Sequence, residues 1–294
     1  MEQMATIERS VAASGTFALG GAVTVHRLGF GAMRITGPGI WGPPRDHDEC
    51  IRVLQRAVDL GVDFIDTADS YGPYVSEELI REALHPYPEQ LVVATKAGFV
   101  RTGPDQWHVL GDPNYLRQEC EMSLRRLGVE RIDLLQLHRV DRRFPLEDQV
   151  GVLHDLQREG KIRMIGLSEV TVEQISEARR VAEIVSVQNR YNLIHREAEP
   201  VLEHCERHRL AFIPWYPIAT GELTRPGSVI AALARTVGAT PVQVALAWLL
   251  QRSPVMLPIP GTSSVRHLDE DVAAATLGLS PDQMSQLEAI AGSN

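Results

Sequence analysis

The chain has 294 residues, of which 44% are hydrophobic and 23% charged, and its formal net charge is −9. That length suits one α/β barrel, a fold that takes about 250 residues, and the acidic balance without any block of Lys and Arg argues against nucleic acid and anionic membrane as partners. The opening MEQMATIERSVAASG lacks an apolar core and reads as no signal peptide, and the most apolar later stretch, 242–250, is too short to span a bilayer. Cys50, Cys120 and Cys205 stand far apart without metal-ligand spacing and read as free thiols in a reducing compartment. The expectation is a cytoplasmic monomer or small homo-oligomer, a single domain over 1–294, with no metal site.

In chain order, Thr16–Leu19 and Val23–His26 flank Gly20-Gly21, a dipeptide suited to tight hairpin turns, and predict an N-terminal β-hairpin. Short, nearly continuous apolar runs follow at 28–31, 64–66, 91–95, 133–137, 164–167, 184–188, 211–214 and 255–258, as in parallel strands covered by helices. Between them lie amphipathic stretches with recognisable ends. Residues 47–60 stop at Gly61, 76–84 follow the second run, 113–127 the third, and 146–159 stop at Gly160. Thr171 caps 171–181, Thr240-Pro241 opens 242–252, and Ser280-Pro281-Asp282-Gln283 forms a capping box for a last helix. Eight β-then-α units predict a (β/α)8 TIM barrel, and no strand runs into the GxGxxG of the competing open-sheet dinucleotide fold.

Barrel enzymes place reacting groups where strands end. Asp66 and Tyr71 follow the second run, Lys96 the third, His138 the fourth, Ser168-Glu169 the fifth and Gln188-Asn189 the sixth. Tyr71, Lys96, Asp66 and His138 form a coherent catalytic set for carbonyl chemistry. An ammonium pulls a phenol toward neutrality, a carboxylate holds the ammonium charged, and the imidazole donates to a carbonyl oxygen. Lys96 alone also permits a Schiff-base lyase on the same fold.

The motifs GVDFIDTADSYG, VVATKAG, RIDLLQLHRVD, GKIRMIGLSEV, VQNRYN and PIPGTSSVRHLDED, in this order, resemble the aldo-keto reductase family over nearly the whole chain. The resemblance implies an NADP(H)-dependent oxidoreductase, with NAD(H) possible, that reduces an aldehyde or ketone. Tyr71, Lys96, Asp66 and His138 match the family's catalytic tetrad, with Tyr71 as the acid. Ser168 and Gln188 are implied to hold the nicotinamide carboxamide, and Trp215 to lie against the ring. Tyr216, Pro217, Ile218, Thr220, Gly221 and Leu223 follow the pyrophosphate. Gly261, Thr262 and Ser263 meet the adenosine phosphate, with His267, Glu270 and Asp271 toward the adenine. Gly31, Ala32, Met33, Asp66 and Glu169 complete the cofactor set.

Three positions depart from the family pattern: Glu169 and Asp271 stand where Asn is common, and Gly261 where many members have Lys, which leaves Arg266 and His267 as nearby cations. For the small-molecule carbonyl substrate, Trp41 and Trp107 are the aromatic candidates beside Tyr71 and His138. A rival reading on the same resemblance is a barrel that senses cofactor redox state as a regulatory subunit.

Overall fold

The computed structural model describes residues 10–218 and 228–290. The hairpin forms as the sequence predicts, from β1 (Thr16–Leu19) and β2 (Val23–His26) in antiparallel register. Then come β3 (Phe30–Gly31), β4 (Phe64–Asp66), β5 (Val92–Ala97), an antiparallel pair β6 (Phe99–Gly103) and β7 (Gln106–Val109), β8 (Ile132–Leu137), β9 (Ile162–Ser168), β10 (Ile184–Gln188) and β11 (Ala211–Phe212). β3, β4, β5, β8, β9, β10 and β11 form one seven-stranded sheet, in that spatial order and parallel throughout.

The eighth run closes the sheet into a barrel. Leu257 N–H donates to the Phe212 carbonyl and Phe212 N–H to that of Val255, both at 2.8 Å, while Gly29 and Gly31 donate to the carbonyls of Pro258 and Pro260 at 3.0 Å. Pro258 and Pro260 have no N–H to return, so on the β3 side these bonds run one way and the ladder is irregular. The backbones approach closely here. A Cβ on Gly31 would meet the Ile259 carbonyl oxygen at 2.6 Å.

Period-2 alternation sorts the strand residues. Phe64, Val92, Ala94, Leu134, Met164, Ala211, Ile213, Leu257 and Ile259 form an apolar cluster, with Leu19 and Val25 of the hairpin joining them. Asp66, Lys96, Gln136, Ser168 and Gln188 come two residues further along their strands from members of this face or its continuation. The barrel interior is therefore apolar at the hairpin end and polar where the strands finish.

Ten helices are described, α1 (His47–Asp59), α2 (Val75–Leu84), α3 (Pro113–Leu127), α4 (Leu146–Arg158), α5 (Val172–Ala178), α6 (Glu199–His208), α7 (Val229–Val237), α8 (Pro241–Arg252), α9 (Val265–Ala273) and α10 (Pro281–Glu288). The helices bury their apolar stripes against the outside of the sheet, in a second, larger core. The capping box predicted at Ser280 forms, and the caps expected at Thr171 and Thr240 prove to be capping boxes as well. α6, α7 and the β6–β7 hairpin lie outside the expectation. Among the described residues no single helix is long and apolar enough to cross a membrane, and the cysteines are free and buried.

Gly31→Ala is expected to cost about 1–3 kcal/mol, the usual range for overpacking, through the Ile259 carbonyl at the seam. Chemical denaturation measures this, and a stability equal to wild type would mean that the seam has room to spread.

Candidate active site

Lys96 lies inside the barrel with 0% of its surface exposed. Its ammonium donates to Asp66 Oδ2 at 2.6 Å, to the Thr67 carbonyl at 2.7 Å and to the Tyr71 hydroxyl at 3.3 Å. Three acceptors suit a group with three donors and no acceptor. The other Asp66 oxygen, Oδ1, accepts from Gln136 Nε2 at 2.9 Å and Gln188 Nε2 at 2.8 Å. The carboxylate is thus fixed from both sides by β8 and β10. Burial works against the Lys96 ammonium, but Asp66 and Tyr71 outweigh it and hold its pKa above the ordinary lysine value.

The same burial pushes the Tyr71 phenol up from its ordinary value, with Lys96 pulling it down and Asp66 pushing it up. This corrects the expectation of a phenol drawn toward neutrality: desolvation exceeds the pull of an ammonium already paired with a carboxylate. His138 goes the other way. Burial, then Lys96, Arg139 and Arg101, hold its imidazole well below the ordinary histidine value, so it is neutral. Its Nδ1 lies 3.4 Å from the Ser70 hydroxyl.

Four rings meet edge to face around this point. The Tyr71 ring centre is 5.9 Å from His138 and 6.4 Å from Trp107, and that of Phe99 is 4.7 Å from His138. Trp107 is pinned by Arg101, whose guanidinium carbon lies 3.5 Å from the ring centre. Arg101 in turn donates to the carbonyls of Ile40, Ser70, Gly39 and Gln106, which ties the loop after β3 to the β6–β7 hairpin.

A cavity of about 440 Å³ opens over these groups. Asp66, Tyr71, His138 and Trp107 line it, as do Gly31, Met33, Gln188, Trp215, Tyr216, Pro217, Ile218 and Gly261 from the expected cofactor set. A second cleft, of about 600 Å³, shares Met33, Arg34, Ile40 and Gly261 with it and adds Thr262 and Ser263. Together they give an elongated ligand a continuous path from the tetrad past the end of the eighth strand. Thr220, Gly221 and Leu223 lie outside the described residues.

Other expected residues sit elsewhere. Trp41 is not in the lining of either space. Its loop bridges to Gly72, and its ring lies 5.8 Å from the Arg101 guanidinium, so it is a packing anchor and Ile40 takes the wall position. Ala32, Ser168 and Glu169 are outside the lining too. On α9, Arg266 is engaged by Glu270 at 2.6 Å and His267 at 2.7 Å. Asp271 is buried, which pushes its pKa up to about 7 with help from Glu270. The phosphate site expected at Gly261, Thr262 and Ser263 lies just before α9, whose Val265 N–H already donates to the Glu49 carboxylate at 2.9 Å. Phe99, Arg139, Arg34 and Gln136 are site residues that the sequence reading passed over. Gln136 was findable, since it lies two residues before His138 on the same strand face.

Glu169 has a different task from the amide that usually stands there. Its backbone is left-handed, with φ +53°, and its Oε1 accepts from the Trp215 indole N–H at 2.6 Å and the Arg190 N–H at 2.7 Å. In Glu169→Ala the indole loses its acceptor, so tryptophan emission is expected to shift to the red and become more open to iodide quenching. Glu169→Gln keeps a carbonyl acceptor and is expected to hold the wild-type spectrum. An unshifted Ala spectrum would mean that packing alone fixes the ring.

Comparison with known proteins bears on this arrangement directly. Residues 27–291 match the Aldo/keto reductase family. An uncharacterized oxidoreductase of Schizosaccharomyces pombe is 54% identical over 275 residues, covering 94% of this chain and 89% of that protein. Pyridoxine 4-dehydrogenase of Escherichia coli is 44% identical over 283 residues, covering 94% and 98%. Among solved structures, the glycerol dehydrogenase of Gluconobacter oxydans superposes with a TM-score of 0.84 at 28% identity, covering 95% of each chain. An aldo-keto reductase of Klebsiella pneumoniae in complex with NADPH does so with 0.79 at 28% identity, covering 93% of this chain and 94% of that one. The chain belongs to the aldo/keto reductase family and is an oxidoreductase that uses NADP(H).

Proposed function

We propose that this protein reduces a small aldehyde or ketone to the alcohol, with Tyr71 as the proton donor. The observation that carries this reading is the phenol of Tyr71, buried in the cavity wall at 3.3 Å from a fully buried ammonium. The cavity and its adjoining cleft fit an extended dinucleotide, with Gln188 and Trp215 at the tetrad end and Thr262 and Ser263 at the far end. When bound there, the nicotinamide supplies hydride to the carbonyl carbon.

The chain's own groups act on the oxygen. A phenol raised by burial is protonated at neutral pH and is therefore an acid ready to give its proton. Lys96 stands behind it, so the phenolate left after transfer sits beside a positive charge that Asp66 keeps in place. His138 is neutral; in the tautomer whose Nδ1 accepts from Ser70, Nε2 carries the proton that polarises the carbonyl. Trp107 and Phe99 give the cavity an apolar wall beside the reacting groups. The state of Lys96 disfavours the lyase alternative: a Schiff base needs a neutral amine that substrate can reach, and this ammonium is buried and paired. The name of the Escherichia coli relative makes pyridoxal the first aldehyde to try, beside simple aromatic and aliphatic ones.

Tyr71→Phe is expected to lower kcat for NADPH-dependent reduction by about 10²–10⁴-fold, the usual share of a general acid, while NADPH still quenches protein fluorescence. Full activity in the variant would remove Tyr71 from the reaction. Tight NADPH binding with no turnover of any carbonyl by the wild type would favour the redox-sensing reading. The phenol donates only while protonated, and burial raises its pKa. The alkaline limb of kcat/KM for reduction is therefore expected above the usual phenol range; a limb near neutrality would show that bound cofactor reverses the shift.

A further inference from the structure

Arg139 is a charged group in the cavity wall that the reaction above does not use. It follows His138 at the end of β8, and its guanidinium carbon lies 5.3 Å from the Phe99 ring centre and 5.9 Å from that of Trp215. Both rings line the cavity beside Tyr71 and His138. Its Nη1 donates to the His138 carbonyl at 2.6 Å and to the Ser168 hydroxyl at 3.0 Å. A guanidinium has more N–H donors than these two bonds employ, and it stays protonated in proteins.

Among the described residues, other cations of the interior are more fully answered. Lys96 meets Asp66, Arg126 meets Glu77 and Glu119, and Arg101 spends its donors on backbone carbonyls from three loops. Among the described residues, Arg139 has only two neutral acceptors. Glu169, the carboxylate that acts on it through space, has Oε1 engaged by Trp215 and Arg190. Burial lowers the pKa of Arg139, with Glu169 and Tyr71 opposing. Planar and forked, it is shaped to take two oxygens of one anion side by side.

We propose that Arg139 is a subsite for an anionic oxygen on the substrate, a carboxylate or phosphate carried near the reacting carbonyl, so that acidic aldehydes and ketones are preferred over neutral ones. The proposal rests on the reductase reading of the preceding subsection and deepens it by naming a substrate class. The anion would stand between Phe99 and Trp215, where a low dielectric strengthens its pairing with the guanidinium. Its carbonyl would remain with Tyr71 and His138.

The test compares kcat/KM for the three carboxybenzaldehydes and for formylphenyl phosphates with that for benzaldehyde, in wild type, Arg139→Met and Arg139→Lys. In the wild type at least one charged aldehyde is expected to exceed benzaldehyde by about tenfold or more, the worth of one charged hydrogen bond. Whether carboxylates or phosphates show the larger ratio identifies the anion. Arg139→Met is expected to bring that ratio close to one, and Arg139→Lys to keep part of it. An unchanged ratio in Arg139→Met would overturn the proposal. So would an NADPH dissociation constant that rises as much as the ratio falls, since Arg139 would then serve the cofactor.

A binding measurement makes the test independent of turnover. Hydroxymethylbenzoates and benzyl alcohol are titrated into the NADPH-bound protein, which cannot oxidise them, and followed by tryptophan fluorescence. A preference for the benzoates that vanishes in Arg139→Met supports the anion subsite even if no carbonyl is reduced, and in that case only the reductase reading fails. Equal affinities for charged and neutral alcohols in the wild type would overturn the subsite.

Discussion

An ammonium with no exposed surface must be answered inside the barrel, and the arrangement around Lys96 follows from that requirement. Removing one partner of such a buried pair typically costs about 3–5 kcal/mol, because the other charge is left unanswered. Asp66 cannot be placed loosely, and the amides of Gln136 and Gln188 fix its second oxygen from two other strands. Four strand ends are thereby locked to one another by polar contacts, on top of an apolar interior that the hairpin seals from below. The catalytic geometry is a product of the fold's need to satisfy one charge. Tyr71, on the loop after β4, is set by the same ammonium.

Much of this was legible in the chain because strands alternate. Once 64–66, 91–95 and 133–137 read as strands, Asp66, Lys96 and His138 had to come to the barrel's catalytic end, whatever their exact contacts. What alternation does not reveal is where long side chains on loops point. Trp41 and Trp107 looked equivalent, yet the β6–β7 hairpin carries Trp107 over the cavity, while the Trp41 loop turns its ring toward Arg101 from outside. The pKa of Tyr71 was misjudged for a related reason. The sign of its shift depends on the depth of burial, which spacing along a chain does not record. The eighth strand was found from composition, but its irregular pairing is explained only when its prolines are set against β3.

The cavity wall joins two kinds of control. Glu169 and Arg101 hold the indoles of Trp215 and Trp107 from behind, so the aromatic faces are preset before any ligand arrives. Arg139 stands between such walls with donors to spare. A protein whose overall charge is −9 thus keeps a positive group with donors to spare in its cavity wall. An acidic ligand is repelled by much of the surface and welcomed within, and selection rests with the pocket more than with long-range steering.

The closing strand offers a last consequence. Before a barrel closes, its first and last strands are bare edges, and bare edges invite pairing with other chains. Pro258 and Pro260 present carbonyls toward β3 but no N–H groups, so a foreign strand meeting this edge finds half a ladder. The N–H groups of Gly29 and Gly31 match that half, and Gly31 also allows the close approach that it requires. The seam is therefore a lock cut for one key: poor as a template for aggregation while the chain is still open, and complete only when its own first strand arrives.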